Sequence, residues 1–266
     1  MTWIVAKKIF PEYVAVLSDV QVTWRDGKVQ KDCLKKVYPI SDNVIAGFSG
    51  SVDTGFLLLT DLNAYMVGVK KNREPLIPRK IALQWYRRAR KIFKNLPNTQ
   101  RKMGCSILLA GISPTELSGN TDIPRTDIIV FKHNNNFKPR FISSFDTVSI
   151  GSGNNVKAYK EFLDGTNDLE NYANILRAES TFGGAGEQLA FLLSIMLQKN
   201  KVAGVSQHIH CSLVSRFGWK QFPLNFNTYD KNDIKTRIIM PKVAESYTDY
   251  KIFEKTVNSI KGAGHA

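Results

Sequence analysis

Met1-Thr2-Trp3-Ile4-Val5-Ala6 places a hydroxyl residue second in the chain and follows it with an apolar run. Removal of Met1 would leave Thr2 with a free α-amine beside its own hydroxyl. An α-amine titrates near ~8, far closer to neutrality than a lysine side chain. It can accept the hydroxyl proton directly or through a water, which is the threonine/N-terminal-amine form of nucleophilic catalysis. The run Trp3–Ala6 suits a buried strand that would hold the terminus rigidly. Taken alone, the stretch reads first as an ordinary chain start. The rest of the sequence has to decide between the two.

Outward from this stretch, Trp3–Ile9 and Tyr13–Asp19 read as strands joined by a turn at Phe10-Pro11-Glu12. Gln21–Trp24 continues to a turn at Arg25-Asp26-Gly27, and Cys33–Pro39 and Val44–Phe48 read as a second pair of strands. The pattern then changes to helix over Gly55–Val69. Pro78 opens a second helix with Ile81, Trp85, Ala89, Ile92 and Leu96 on one face. Strands return at Ser106–Gly111, Asp127–Lys132, Arg140–Ser144 and Thr147–Ile150, with a long loop over Ser113–Arg125. Gly151-Ser152-Gly153 leads into a helix near Asn155–Leu163, Glu187–Lys199 is a strongly apolar helix, and Gln207–Ser215 alternates as a strand. The order of strands, two helices, strands, helices, strands predicts an α+β fold. Its expected form is a four-layer α/β/β/α sandwich, two antiparallel sheets packed together with helix pairs outside.

The 266 residues can bury a substantial core, and 43% apolar content fits a globular protein. The longest apolar run, Leu189 to Leu197, is too short to span a bilayer, and the N-terminus does not read as a signal peptide. Cys33, Cys105 and Cys211 have no metal-ligand spacing and read as free, buried thiols of a cytoplasmic protein. No metal or other cofactor is expected. The net charge is +14, and Lys70 to Lys102 alone holds twelve Lys/Arg and one acid, Glu74. That stripe carries no zinc-finger or RNP signature, so it reads as a solvated helix face before it reads as a nucleic-acid interface.

Five pieces, in order, resemble proteasome β-type subunits and the bacterial HslV peptidase, which are N-terminal-nucleophile threonine hydrolases. They are Thr2-Trp3-Ile4-Val5-Ala6, Asp19-Val20-Gln21-Val22-Thr23, Leu34-Lys35-Lys36-Val37, Ala46-Gly47-Phe48-Ser49-Gly50 and Ile150-Gly151-Ser152-Gly153. The resemblance covers roughly residues 2–215 and implies one hydrolase domain over 1–220. Residues 221–266 are then a C-terminal extension, with a strand at Lys235–Pro241 and a small-residue tail, Gly262–Ala266, read as disordered.

The resemblance also implies roles. Thr2 is the nucleophile, Lys36 lowers the pKa of its amine and hydroxyl, and Asp19 pairs with Lys36. The Gly50 N–H is the oxyanion donor and Ser152 relays the amine proton. Thr23 pairs with the substrate backbone, and Val22, Leu34 and Phe48 line an apolar pocket for the side chain before the scissile bond, with Ser51 or Val52 at its floor. A plain reading stands beside each: a structural salt bridge, a turn glycine, a helix N-cap, ordinary core. The resemblance further implies polypeptide substrates, a homo-oligomeric ring and an ATP-dependent unfoldase to feed it. One departure is visible. The family's Asp-x-x-Ser-Gly-Gly segment is matched here by Lys201-Val202-Ala203-Gly204-Val205-Ser206, which has no Asp. That departure favours the alternative of an inactive, binding or assembly subunit. His208 and His210 read as structural or interface residues on one side of a strand.

Overall fold

The computed structural model describes residues 2–10, 13–24, 29–71, 76–113, 125–142, 146–166, 186–201, 203–223, 226–229 and 235–262. The expected turns at 10–12 and 25–27, most of the 113–125 loop, Ser144 and the tail beyond Gly262 lie wholly or partly outside these residues.

One five-stranded antiparallel sheet contains β1 (Trp3–Phe10), β2 (Tyr13–Asp19), β10 (Val148–Gly151), β11 (Ile209–Ser215) and β12 (Gly218–Pro223), in the order β10-β1-β2-β11-β12. A second contains β5 (Val37–Ser41), β6 (Val44–Gly50), β7 (Cys105–Ile112), β8 (Thr126–Lys132) and β9 (Arg140–Phe141), in chain order. Side chains alternate across a strand, and β1 uses both faces. Ile4 and Ala6 join Val16, Leu108 and Val130 between the sheets. Trp3 and Val5 point the other way, against Leu189 and Leu193 of α5 (Glu187–Lys199) and Tyr159 of α4 (Lys157–Gly165). Burial on both faces explains why the first stretch reads as a continuous apolar run. The second sheet carries α1 (Val52–Lys71) and α2 (Pro78–Lys94) on its outer side. Ile81, Trp85 and Ala89 of α2 are buried there, as the 3.6-residue spacing predicts. A short α3 (Asn98–Met103), not evident in the sequence, leads into β7.

The four-layer α/β/β/α sandwich is corrected by the remaining elements. The described strands divide over four antiparallel sheets, not two. Among the described residues, β3 (Gln21–Trp24) pairs only with β4 (Val29–Asp32) as a separate ribbon, and β13 (Phe226–Tyr229) pairs with β14 (Lys235–Ile238) as another. A C-terminal helix, α6 (Tyr247–Gly262), packs on the β3–β4 ribbon and the start of α1, where no layer was expected. The architecture is a mixed, antiparallel α+β fold. The physical reason lies at Asp19, whose carboxylate accepts the Gln21 N–H at 3.1 Å and turns the chain out of the first sheet. The expected strand Cys33–Pro39 also begins later. Residues 33–36 make only a bridge, Leu34 to Ala244, before β5 starts at Val37. The boundary drawn at residue 220 falls inside β12. Among the described residues, no helix is long and apolar enough to cross a membrane.

The three cysteines are free and buried, as expected. His210, 6% exposed in β11, has no hydrogen-bond partner among the described residues on either ring nitrogen. Burial pushes its pKa from 6.5 down to about 4, opposed by the charge of Glu245 and aided by that of Lys35. The folded protein thus holds His210 neutral where the unfolded chain protonates it, so this contribution is complete above pH 6.5 and is lost as pH falls towards 4. The gap between the two values corresponds to about 3 kcal/mol. His210→Leu should therefore flatten the acid side of the stability curve. Urea midpoints of both proteins at about pH 7.5 and about pH 5 measure this. An equal loss in the two would show that His210 is not responsible.

Candidate active site

β1 and β10 run antiparallel with Trp3 opposite Gly151, which brings the Gly151-Ser152-Gly153 turn against Thr2. Gly151 has φ +103°, and a Cβ there would lie 1.8 Å from the Thr2 carbonyl oxygen, so only glycine fits. The turn then holds Thr2 by three bonds. Thr2 N–H donates to Ser152 Oγ at 3.2 Å, Ser152 Oγ–H donates to Thr2 O at 3.3 Å, and Ser152 N–H donates to Thr2 O at 2.8 Å.

Asp19, at the end of β2, is fully buried and is the centre of the site. Its Oδ1 accepts the Trp3 N–H at 2.7 Å and the Lys36 ammonium at 2.8 Å. Its Oδ2 accepts the N–H groups of Gln21 at 3.1 Å and Ser206 at 3.3 Å. Lys36 also donates to Gln21 O at 2.6 Å. One carboxylate oxygen is thus shared by Lys36 and the Thr2–Trp3 peptide, which brings the cation to the first residue of β1. Burial lowers the Lys36 pKa, and the charge of Asp19 opposes that shift without cancelling it. Lys35 faces away, with its Nζ 3.0 Å from Glu245 on the surface.

Gly50 closes the other side with φ +100°. The Ser51 N–H donates to Gly104 O, which makes Gly50 and Cys105 a non-hydrogen-bonded pair. The Gly50 N–H is therefore turned from β7 towards the edge where the Phe48 N–H donates to Lys36 O. Between Thr2 and Gly50 lies a cavity of about 150 Å³, also lined by Val22, Thr23, Ser51 and Val52. Thr2, Asp19, Lys36, Gly50, Ser152, Val22 and Thr23 thus come together.

Leu34 and Phe48 do not line this cavity. Both belong to the core under α1, where Phe48 fills the space above Gly55 and packs on Phe56 at 5.2 Å between ring centroids. The apolar pocket expected from Val22, Leu34 and Phe48 keeps only Val22. The reason is steric: Gly55 has no side chain, and the Phe48 ring takes its place.

Several groups escaped the sequence reading. Asp32, at the end of β4, accepts the Ser206 hydroxyl at 2.7 Å and His208 Nδ1 at 2.6 Å, and its other oxygen accepts Gln21 Nε2 at 3.3 Å. Burial pushes the Asp32 carboxyl up, but the bonds from His208 and Ser206 outweigh it and hold the pKa below its ordinary value. Ser206, whose N–H reaches Asp19, is thereby fixed by a carboxylate from the end of β4. The segment Lys201–Ser206 has no Asp of its own, and Asp32 stands behind it instead. No local spacing marks this contact, because 174 residues separate the partners. His208 lies just before β11 and bonds to Asp32, whereas His210 lies within β11 and has no hydrogen-bond partner among the described residues. Trp24, Asp53, Met103, Tyr250 and Glu254 also line the cavity. The helical spacing of Tyr247, Tyr250, Lys251 and Glu254 was the available signal for the last two. Among the described residues, no His/Cys/Asp/Glu group could hold a metal ion. Compared with models of known protein families and with curated proteins, the chain matches none.

Lys36→Ala leaves Asp19 buried without its cation and should cost about 3–5 kcal/mol. Lys35→Ala removes an exposed ion pair and should cost less than about 1 kcal/mol. Chemical denaturation of the two variants checks the order. The reverse order would contradict a register in which Lys36 points inward to Asp19 and Lys35 outward.

Proposed function

We propose that the protein is a threonine peptidase of the proteasome and HslV kind, with Thr2 as its nucleophile once Met1 has been removed. The observation that carries the reading is the Asp19 carboxylate shared between Lys36 and the backbone of β1, with Ser152 bonded to the Thr2 nitrogen. In the mature protein that nitrogen is an amine. A neighbouring cation favours its neutral form, ready to take the proton of the Thr2 hydroxyl, and the Ser152 hydroxyl is bonded to it.

The chemistry follows from these groups. Thr2 Oγ attacks the carbonyl carbon of a peptide bond while its proton passes to the α-amine. The negative charge that develops on the carbonyl oxygen is met by the Gly50 N–H. The C–N bond then breaks, the amine proton goes to the leaving nitrogen, and an ester to Thr2 remains. Water, deprotonated by the same α-amine, hydrolyses the ester and restores Thr2. Among the described residues, one edge of β3 is unpaired, and it gives an extended peptide a strand to pair with beside Thr23. The lack of Asp in Lys201–Ser206 speaks less for an inactive subunit once Asp32 is seen to hold Ser206. Through the resemblance, we extend this reading to a cytoplasmic homo-oligomeric ring whose chamber is fed by an ATP-dependent unfoldase.

Thr2→Ala should abolish hydrolysis of unfolded polypeptide and leave the fold unchanged, whereas Thr2→Ser should keep measurable turnover. Protein whose intact mass retains Met1 should be inactive. Activity should decline on the alkaline side before the ordinary lysine value of 10.5, as Lys36 loses its charge at its lowered pKa. Undiminished turnover by purified Thr2→Ala would place the chemistry elsewhere.

A further inference from the structure

The C-terminal helix is part of the Thr2 cavity. The chain leading to α6 joins the residues before β5: Ala244 N–H donates to Cys33 O at 2.7 Å, and Lys35 N–H donates to Ala244 O at 3.2 Å. Ala244 and Tyr250 are buried in the core that holds Phe48 and Leu34. Trp24 and Tyr250 lie with ring planes within 2°, and Trp24 Nε1–H donates to Tyr250 OH at 3.1 Å. Tyr250 OH in turn donates to Glu254 Oε1 at 3.1 Å. Glu254 is therefore held at the cavity wall by a chain of contacts that begins in β3.

The cavity's charge is opposite to that of the whole protein. Its lining contains two carboxylates, Asp53 and Glu254, and no Lys or Arg among the described residues, although the chain carries a net +14. The two carboxylates already bracket one cation of the chain's own. Lys251 Nζ lies 2.8 Å from Asp53 Oδ1 and 2.8 Å from Glu254 Oε2, over the rings of Tyr247 and Tyr250 at 5.2 and 5.6 Å. Two negative charges against one positive leave the group one charge in deficit. The Lys251 side chain is 35% exposed, so water can take its ammonium if another cation enters. Thr23 Oγ1 and Gln21 Oε1, both on residues lining the same cavity, are buried without a hydrogen-bond partner among the described residues. Trp24, Tyr250 and Met103 also line this cavity and offer apolar surface to an aliphatic stem.

We infer that α6 sets the specificity of this cleft, and that the cleft takes a peptide with a lysine or arginine side chain beside the bond presented to Thr2, read by Glu254 and Asp53. This rests on the peptidase reading of Thr2. A basic side chain joins or displaces Lys251 between the carboxylates, and the ring faces and carboxylates that hold Lys251 hold it in the same way. An acidic side chain meets two like charges. A leucine gains only its contact with the apolar wall.

The test uses the full chain and four fluorogenic peptides that differ only in the residue before the scissile bond: Arg, Lys, Leu or Glu. Arg and Lys peptides should show about tenfold higher kcat/KM than the Leu peptide, and the Glu peptide should be slowest. Glu254→Gln should reduce the Arg-to-Leu ratio several-fold. Lys251→Met removes the internal competitor and should raise that ratio, which guards against a Glu254 variant that fails to fold. Binding of the same peptides to Thr2→Ala protein, read by fluorescence anisotropy, is measured in parallel. Cleavage with equal rates for Arg and Leu would overturn the specificity and leave the peptidase reading standing. Preferential binding of basic peptides without cleavage by the wild type would retain the recognition and overturn the peptidase reading. Absence of both binding and cleavage would overturn the two together.

Discussion

The buried pair of Lys36 and Asp19 is the constraint on which the site depends. Both side chains are almost entirely withdrawn from water, at 1% and 0% exposure. Withdrawing two charges costs several kcal/mol per ion, and their attraction repays it only when the remaining bonds are also made. In this protein they are made. The carboxylate collects Lys36 and three backbone N–H groups, from Trp3, Gln21 and Ser206. Those donors belong to β1, to the ribbon strand β3 and to the segment before β11. Asp19 thus fixes where three parts of the chain meet. An apolar pair of the same volume could fill the space, but it could not collect three backbone donors or hold a cation at the start of β1.

The same interaction explains why the fold departs from two simple stacked sheets. Asp19 takes the Gln21 N–H, so β3 leaves the first sheet and pairs with β4. The ribbon in turn provides Trp24 as a platform for Tyr250, and β4 ends at Asp32, which secures Ser206 and His208. The displacement of β3 therefore creates both the cleft beside Thr2 and the surface on which α6 is seated. Local hydrogen bonding at one carboxylate is amplified into architecture because each following element can be satisfied only against the one before it.

This also marks what the sequence can and cannot disclose. β1, β2 and the buried face of α2 are legible because their periodicity follows directly from which face is covered. Asp19, Lys36 and Ser152 are legible through the resemblance, which implies their roles, and not through periodicity. Asp32 is not, since its partners lie at the far end of the chain and no local pattern encodes them. The resemblance implies a pocket wall at Phe48 and Leu34, but an apolar residue in a strand reports only that a face is buried, not whether a ligand or another side chain buries it. Gly55 decided that question by leaving room for the Phe48 ring. The separation of β3–β4 was hidden for a related reason: a strand that continues and one that swings away have the same alternation, and only the carboxylate that accepts Gln21 N–H distinguishes them.

The protein's charge is divided in a way that separates long-range from short-range effects. The exposed arginines and lysines of α2 stand on a well-anchored helix, where Trp85 Nε1–H and Arg88 both bond to Asp61. They form a solvated positive face on the outer side of the second sheet. At a distance beyond roughly 8 Å, salt screens such charges, and within that distance a +14 protein repels basic peptides as a whole. The carboxylates of Asp53 and Glu254 act only once a ligand is in the cleft, at contact distance, where a near charge outweighs the distant ones. Salt should therefore speed the arrival of a basic ligand while loosening its hold. Selectivity in this site has to come from contact in the bound state, and the residues able to supply it are those that α6 and the start of α1 bring to Thr2.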